Sequence, residues 1–279
     1  MDRKKITLMD IRAMKNEGKK ISMLTAYDYP MALLEDLAGI DIILVGDSLG
    51  MTVLGYENTI PVTMDEMIHH TRAVTRGAKY ALVIGDMPFM SYNTSEREAI
   101  LNAGRFIKEG RADAVKLEGG ASVKDIVKVI VKAGIPVMGH IGLTPQTISM
   151  LGGFKVQGKD AQAAQRIIDD ALLLEDAGAF SVLLEAIPAP IAKRITGGLK
   201  VPTIGIGAGV HCDGQVLVVH DMLGLFDRFT PKFVKRYVNL SELMLKAFAS
   251  YKEEVLKGEF PTDQHSFHID EKELIKMKG

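Results

Sequence analysis

The chain has 279 residues, 47% of them hydrophobic and 25% charged, which is ordinary for a globular protein and too apolar for wholesale disorder. Lys and Arg total 34 against 35 Asp and Glu, a formal net charge of -1, so nothing electrostatic calls for nucleic acid or an anionic membrane as partner. The single cysteine, Cys212, excludes an intrachain disulfide and a multi-cysteine zinc centre, and no apolar run of about 18 residues is present to span a membrane.

Residues 1–20 are charged throughout and lack the apolar stretch of a secretory signal, so with the lone cysteine the expected setting is reducing and cytoplasmic. Residues 6–16 predict a helix outside the pattern that follows, over the floor of the fold. Short β-branched apolar runs then recur at 22–25, 42–46, 81–85, 114–117, 136–139, 181–184, 203–206 and 216–219. Near-continuous apolar runs of this length are what strands buried on both faces look like. The intervals carry helix signals. Residues 30–39 are apolar at helical spacing and stop at Gly39. Thr63 caps a helix with Asp65 and Glu66 in its first turn and a stop near Gly77. Segments 95–110 and 122–134 open on serine and close on glycine, and 160–178 is the longest. The interval 207–215 is too short for a full helix. A helical segment at 231–258 and a tail at 259–279 follow the last strand.

Strands alternating with helices predict a parallel sheet, because parallel strands need crossovers. Eight is the number that closes a barrel. The expected fold is therefore α/β, a (βα)8 TIM barrel in a single domain over residues 1–279, with the barrel at about 21–225. A doubly wound open sheet would place a glycine-rich fingerprint after the first strand, where Thr25-Ala26-Tyr27-Asp28 stands instead.

Active sites of such barrels form at the C-terminal ends of the strands. Ionisable groups cluster there: Asp47 beside Ser48 after the second strand, Asp86 after the third, Lys116 and Glu118 at the fourth, His140 after the fifth, Glu185 after the sixth, and His220 with Asp221 after the eighth. Asp47, Asp86 and Glu118 end three consecutive strands, about 4.8 Å apart in a barrel, so they can converge. Like charges that close repel unless a cation lies among them, and all-oxygen ligands favour Mg²⁺. Capping of the following turns is the structural alternative. Lys116 shares a strand face with Glu118, and three readings stay open for it: a substrate-binding cation, a Schiff-base nucleophile or a structural ion pair. His140 is read as a substrate-contacting or hydrogen-bonded residue of the mouth. Glu185 follows an apolar run, a setting that disfavours a charged carboxylate and suits a general base, with a buried ion pair as the alternative. The glycines of Gly205-Ile206-Gly207-Ala208-Gly209 allow either an anion contact or only a tight turn, and residues 152–158 read as a lid with glycine hinges or a static loop.

Longer motifs carry a family resemblance. Asp28-Tyr29-Pro30, Val45-Gly46-Asp47-Ser48-Leu49-Gly50-Met51, Asp86-Met87-Pro88-Phe89-Met90-Ser91-Tyr92, Val115-Lys116-Leu117-Glu118-Gly119-Gly120, Gly139-His140-Ile141-Gly142-Leu143-Thr144-Pro145-Gln146 and Cys212-Asp213-Gly214-Gln215-Val216 occur in this order. Together they resemble the ketopantoate (3-methyl-2-oxobutanoate) hydroxymethyltransferase family from about Thr25 to Leu225. The resemblance implies a Mg²⁺-dependent (βα)8 transferase of pantothenate biosynthesis. It moves a one-carbon unit from 5,10-methylenetetrahydrofolate to 3-methyl-2-oxobutanoate, giving 2-dehydropantoate. It places the metal at Asp47, Asp86 and Glu118, the oxoacid at Asp47, Ser48, Asp86 and Lys116, the base at Glu185, and an active-site histidine at His140. It also implies a homodecamer. Two alternatives stand beside it. One is a Mg²⁺-dependent 2-oxoacid C–C lyase of the isocitrate-lyase or phosphonopyruvate type, although the catalytic cysteine common there near the fourth strand is missing. The other is a non-catalytic, metal-dependent oxoacid-binding protein.

Overall fold

The computed structural model describes residues 3–151, 153, 155–226 and 230–277. In chain order the elements are α1 (Leu8–Asn16), β1 (Ile21–Thr25), α2 (Tyr29–Ala38), β2 (Ile42–Val45), α3 (Leu49–Thr52), α4 (Met64–Gly77), β3 (Leu82–Asp86), α5 (Glu96–Lys108), β4 (Ala114–Glu118), α6 (Lys124–Lys132), β5 (Val137–Gly142) and α7 (Ile148–Leu151). There follow α8 (Ala161–Asp176), β6 (Ser181–Glu185), α9 (Ala189–Gly198), β7 (Thr203–Ile206), β8 (Gly214–Leu217), α10 (Val219–Leu223), α11 (Leu240–Lys257) and α12 (Glu271–Lys276). The eight strands are parallel and close in sequence order, β8 pairing back onto β1. This is the expected TIM barrel.

Side chains along each strand alternate between two apolar layers. Ile43, Val45, Val83, Val115, Leu117, Val182 and Leu184 point outward and pack under the helices, with Ala103, Phe106, Val127, Ile130 and Leu174 opposite them. Met23, Ile42, Leu44, Leu82, Ile84, Ala114, Met138, Leu183, Ile204 and Val216 fill the barrel interior. Ile11 of α1 is fully buried in that interior cluster, so the N-terminal helix closes the floor, as its position outside the repeat predicts.

Helix starts follow local chemistry. Thr7 with Asp10, and Thr63 with Glu66, form reciprocal capping boxes at α1 and α4, and Asp28, Ser95 and Asp160 each accept an N–H from the first turn of α2, α5 and α8. Three elements depart from expectation. β8 lies at Gly214–Leu217 rather than 216–219, because the Val219 N–H bonds Thr25 Oγ1 (3.0 Å) and the chain turns off the sheet into α10. Residues 231–239 are irregular rather than helical, and α11 starts only at Leu240. The ring of Phe233 lies so close to Gly207 that a Cβ there would come within 2.6 Å, which pins this segment against the end of β7. Helix α9 is not among the helical intervals named from the sequence, and it carries Pro190 in its first turn, where proline is tolerated.

Candidate active site

The interior parity that fills the barrel with Ile and Met changes character at the C-terminal ends. Two residues beyond Ile84 comes Asp86, beyond Ala114 comes Lys116 and then Glu118, beyond Met138 comes His140, and beyond Leu183 comes Glu185. Strand register sets these side by side, with Asp86 opposite Lys116 and Glu118 opposite His140. Asp47 lies just past β2, and its N–H donates to Asp86 Oδ2 at 3.2 Å. Asp47, Asp86, Lys116, Glu118 and His140 are each at most 4% exposed.

Lys116 Nζ is 2.8 Å from Asp86 Oδ1 and 3.8 Å from Glu118 Oε1. His140 Nδ1 stands 3.2 Å from Lys116 Nζ and 3.3 Å from Glu118 Oε1, and Nε2 stands 3.2 Å from Glu185 Oε2. Glu185 ends β6 against the cavity, and the next residue, Ala186, has the left-handed φ of 49°. Two hydrogen bonds hold that strained backbone, from Ala186 N–H to the Ile206 carbonyl (2.8 Å) and from Gln157 N–H to the Ala186 carbonyl (2.9 Å). Gly142 has φ +96°, and a Cβ there would meet the Glu185 carbonyl at 2.2 Å, so only glycine lets β5 end this close to β6.

Burial drives the electrostatics. It raises the Asp47 carboxyl well above its ordinary range, with Asp86 and Glu118 adding like-charge repulsion. It raises Asp86 too, despite the adjacent ammonium. Burial opposes the Lys116 ammonium, but the charges of Asp86, Glu118 and Asp47 outweigh it and hold the lysine protonated. Glu118 is pushed up by burial, yet His140 and Lys116 bring it below its usual value. His140 is opposed by burial and by Lys116, but Glu118 and Glu185 push it up to about 9.

A cavity of about 400 Å³ opens above this cluster, lined also by Ser48, Met51, Leu143, Lys155, Val156, Asp221 and Phe233. Ser48 Oγ bonds Tyr27 OH at 2.8 Å. Asp221 lines the cavity, with its carboxyl pushed up to about 6 by burial. His220 does not line it, and packs against the Tyr27 ring at 5.3 Å. In the 152–158 loop, Gly152 and Phe154 lie outside the described residues, while Lys155 and Val156 reach the cavity wall. Of the sequence-predicted site residues, Asp47, Asp86, Lys116, Glu118, His140 and Glu185 form one cluster, and Ser48 sits at its edge.

Among the described residues no three His, Cys, Asp or Glu side chains stand close enough to grip one ion together, since the Lys116 ammonium lies between Asp86 and Glu118. The residues nevertheless fit a divalent cation. Four carboxyl groups (Asp47, Asp86, Glu118, Glu185) face one ammonium and one imidazolium, so acids outnumber cationic side chains at the site, and a cation among them would relieve the like-charge repulsion at Asp47. One oxygen of Asp47, Asp86 and Glu118 is tied to a protein N–H, and Asp86 Oδ1, buried, has the Lys116 ammonium beside it at 2.8 Å.

The ties come from residues that strand-end reading did not find. Gln146 Nε2 donates to Asp47 Oδ2 and to the Met87 carbonyl (both 2.9 Å), and Gln146 N–H donates to Glu118 Oε2 (3.0 Å). Tyr92 OH donates to Gln146 Oε1 at 2.6 Å. Both residues are neutral and lie in loops, so a search for ionisable groups passes over them.

A family model described as ketopantoate hydroxymethyltransferase matches residues 5–263. The chain belongs to that family. Relatives named 3-methyl-2-oxobutanoate hydroxymethyltransferase include one from Syntrophus aciditrophicus, 62% identical over 95% of this chain and 97% of its own. Another from Moorella thermoacetica is 61% identical over 95% and 98%. Among solved structures, a phosphonopyruvate hydrolase superposes with a TM-score of 0.62 over 97% of this chain and 94% of its own, at 12% identity. A 2,3-dimethylmalate lyase of the PEP mutase/isocitrate lyase superfamily gives 0.61 over 93% of each chain, at 13%. At that identity the likeness is one of fold. The ketopantoate hydroxymethyltransferases thus share a barrel with the lyases weighed from the sequence, and the family match separates this chain from them.

Proposed function

We propose that the chain transfers a hydroxymethyl unit to 3-methyl-2-oxobutanoate, with 5,10-methylenetetrahydrofolate as donor, giving 2-dehydropantoate for pantothenate biosynthesis. The observation that carries the chemistry is the buried chain of contacts from Asp86 through Lys116 and Glu118 to His140 and Glu185 at the cavity floor. It combines an anion-attracting ammonium, a surplus of carboxylates and a carboxylate positioned as base.

Asp47, Asp86 and Glu118 would hold Mg²⁺, which when bound supplies Lewis acidity to the keto oxygen of the oxoacid. Lys116 and Ser48 draw and hold the oxoacid carboxylate. Glu185, held at 3.2 Å by His140 Nε2, takes the proton from C3. One C–N bond of the donor's methylene carbon opens with protonation of its nitrogen, and the enolate carbon bonds to that carbon. Water then displaces the second nitrogen, so that the hydroxyl comes from water and tetrahydrofolate leaves carrying the protons. His140 keeps its positive charge beside Glu118 and Glu185 and fixes the direction of the base.

The assembly proposed is a homo-oligomer, a decamer by the family resemblance, working in the cytoplasm. No helix among the described residues is long and apolar enough to cross a membrane. Helix α11 supports association with further copies. None of its residues is buried, and Met244, Phe248, Tyr251 and Val255 form an apolar stripe along it at helical spacing.

The test is proton NMR of 3-methyl-2-oxobutanoate in D₂O with enzyme and Mg²⁺, then with EDTA. The expected result is loss of the C3 proton signal that stops on chelation, followed by product on adding methylenetetrahydrofolate. An oxoacid that binds but exchanges no proton, with or without the folate, would overturn the reading and leave a binding protein.

A further inference from the structure

We propose that Gln146 is the positioning residue of the metal site, the side chain that decides which carboxylate oxygens are offered to a divalent cation. This deepens the function proposed above and rests on its placing of Mg²⁺ at Asp47, Asp86 and Glu118. Gln146 is 2% exposed and sits in a 3-10 turn, Pro145–Thr147, just beyond β5. From there it reaches three strand ends at once.

The hydrogen-bond inventory fixes its orientation. Asp47 Oδ2 and the Met87 carbonyl are acceptors, so the side-chain NH₂ must face them, and the carbonyl Oε1 is left for the Tyr92 hydroxyl. Tyr92 OH has one proton. Its shorter contact is to Gln146 Oε1 (2.6 Å), so it donates there and accepts the Glu118 N–H at 3.2 Å. Every polar atom of the Gln146 side chain is then satisfied, and the amide cannot flip without setting oxygen against a carboxylate.

The effect is a division of oxygens. Gln146 commits Asp47 Oδ2 through its side chain and Glu118 Oε2 through its backbone N–H. It holds the residue after Asp86 through the Met87 carbonyl. Asp47 N–H commits Asp86 Oδ2. Among the described residues, the second oxygen of each carboxylate is held by no backbone or amide N–H. For Asp86 it faces Lys116 Nζ at 2.8 Å, and for Glu118 it faces His140 Nδ1 at 3.3 Å and Lys116 Nζ at 3.8 Å, both mobile-proton cations that a divalent ion would displace from it. Without the amide, Asp47 Oδ2 would lose the 2.9 Å hydrogen bond that fixes the direction of its carboxylate. Glutamate at this position would add a further carboxylate to the cluster, and asparagine is one methylene too short to reach from the turn.

The experiment is Mg²⁺ titration of the full-length protein by calorimetry, without substrates, for the parent, Q146M, Y92F and the double variant, with thermal unfolding in EDTA as control. Methionine keeps length and volume but has no donor. Q146M is expected to weaken Mg²⁺ binding by roughly 10- to 100-fold while its unfolding in EDTA stays cooperative. Y92F is expected to weaken binding less, and to add nothing in the Q146M background, because both act on the same amide. Mg²⁺ affinity in Q146M within about twofold of the parent would overturn the proposal. If Q146M does not fold, Y92F decides, and parental affinity in Y92F overturns it. A parent without saturable Mg²⁺ binding overturns the metal assignment itself and this inference with it, whereas parental binding shared by every variant overturns this inference alone.

Discussion

Glu185 meets the rest of the buried cluster at one point, His140 Nε2, and otherwise faces the cavity. A carboxylate placed in this way can take a proton from a bound molecule without disturbing the carboxylates below it. Glu185→Gln keeps the shape and removes the proton acceptor. Exchange of the oxoacid C3 proton should fall roughly 10²- to 10⁴-fold while Mg²⁺ binding by calorimetry is retained. Exchange at the parental rate would remove Glu185 from the role of base. At this scale the sequence was legible wherever a charge broke an apolar period. Lys116 and Glu118 two apart on a strand, and His140 and Glu185 closing apolar runs, could be placed on one inward face before any contact was known. Their partners could not. Whether Lys116 pairs with Asp86 or with Glu118 depends on strand register, which a single sequence does not show. Gln146 and Tyr92 carry no charge to mark them.

Helix α2 shows what an element can tolerate away from the cavity. It buries Glu35, whose two carboxylate oxygens have no hydrogen-bond partner, and burial with the nearby charge of Asp28 pushes this carboxyl up to about 8. An unfolded glutamate titrates near about 4.3. Between those values the folded chain holds a proton that the unfolded chain has released, so stability falls as pH rises through the window and levels off above about 8. Glu35→Gln should match the parent near pH 4 and exceed it by a few kcal/mol (order of magnitude) at alkaline pH. Denaturant unfolding across that range measures the difference, and parallel stability curves would show that Glu35 is not protonated in the folded state. The same helix was predictable from its apolar spacing and its stop at Gly39, which is left-handed, and the structure adds Asp28 as its cap. Strand starts and helix caps are local signals. The irregular course of residues 231–239 was not predictable, because it follows from Phe233 packing on Gly207, a contact between distant parts of the chain.

On the scale of the whole molecule, α11 leaves its apolar stripe largely exposed in the single chain, with only the Tyr251 ring meeting another, Phe260, among the described residues. If a second copy covers it, Phe248→Glu should shift the assembly to smaller species in light scattering while far-ultraviolet circular dichroism keeps the barrel signal. An unchanged mass would release α11 from any part in association. The barrel count itself was legible, since eight apolar runs with crossovers admit few other architectures; the role of α11 was not, because a helix with no buried residue has the same apolar spacing as one that packs on the barrel. The opposite end of the molecule has a different consequence. With Ile11 set into the interior cluster, the barrel is stoppered below, and among the described residues the cavity is lined at the strand ends where the acids lie. On the proposed reaction two reactants would share one doorway, the small oxoacid beneath and the bulky donor above it. Traffic through a single doorway is sequential. The proposed arrangement has the oxoacid bind first and its product leave last, so 2-dehydropantoate should inhibit competitively against the oxoacid and not competitively against the donor in initial-rate kinetics. A random order in those measurements would mean that the doorway is wide enough for the two to pass.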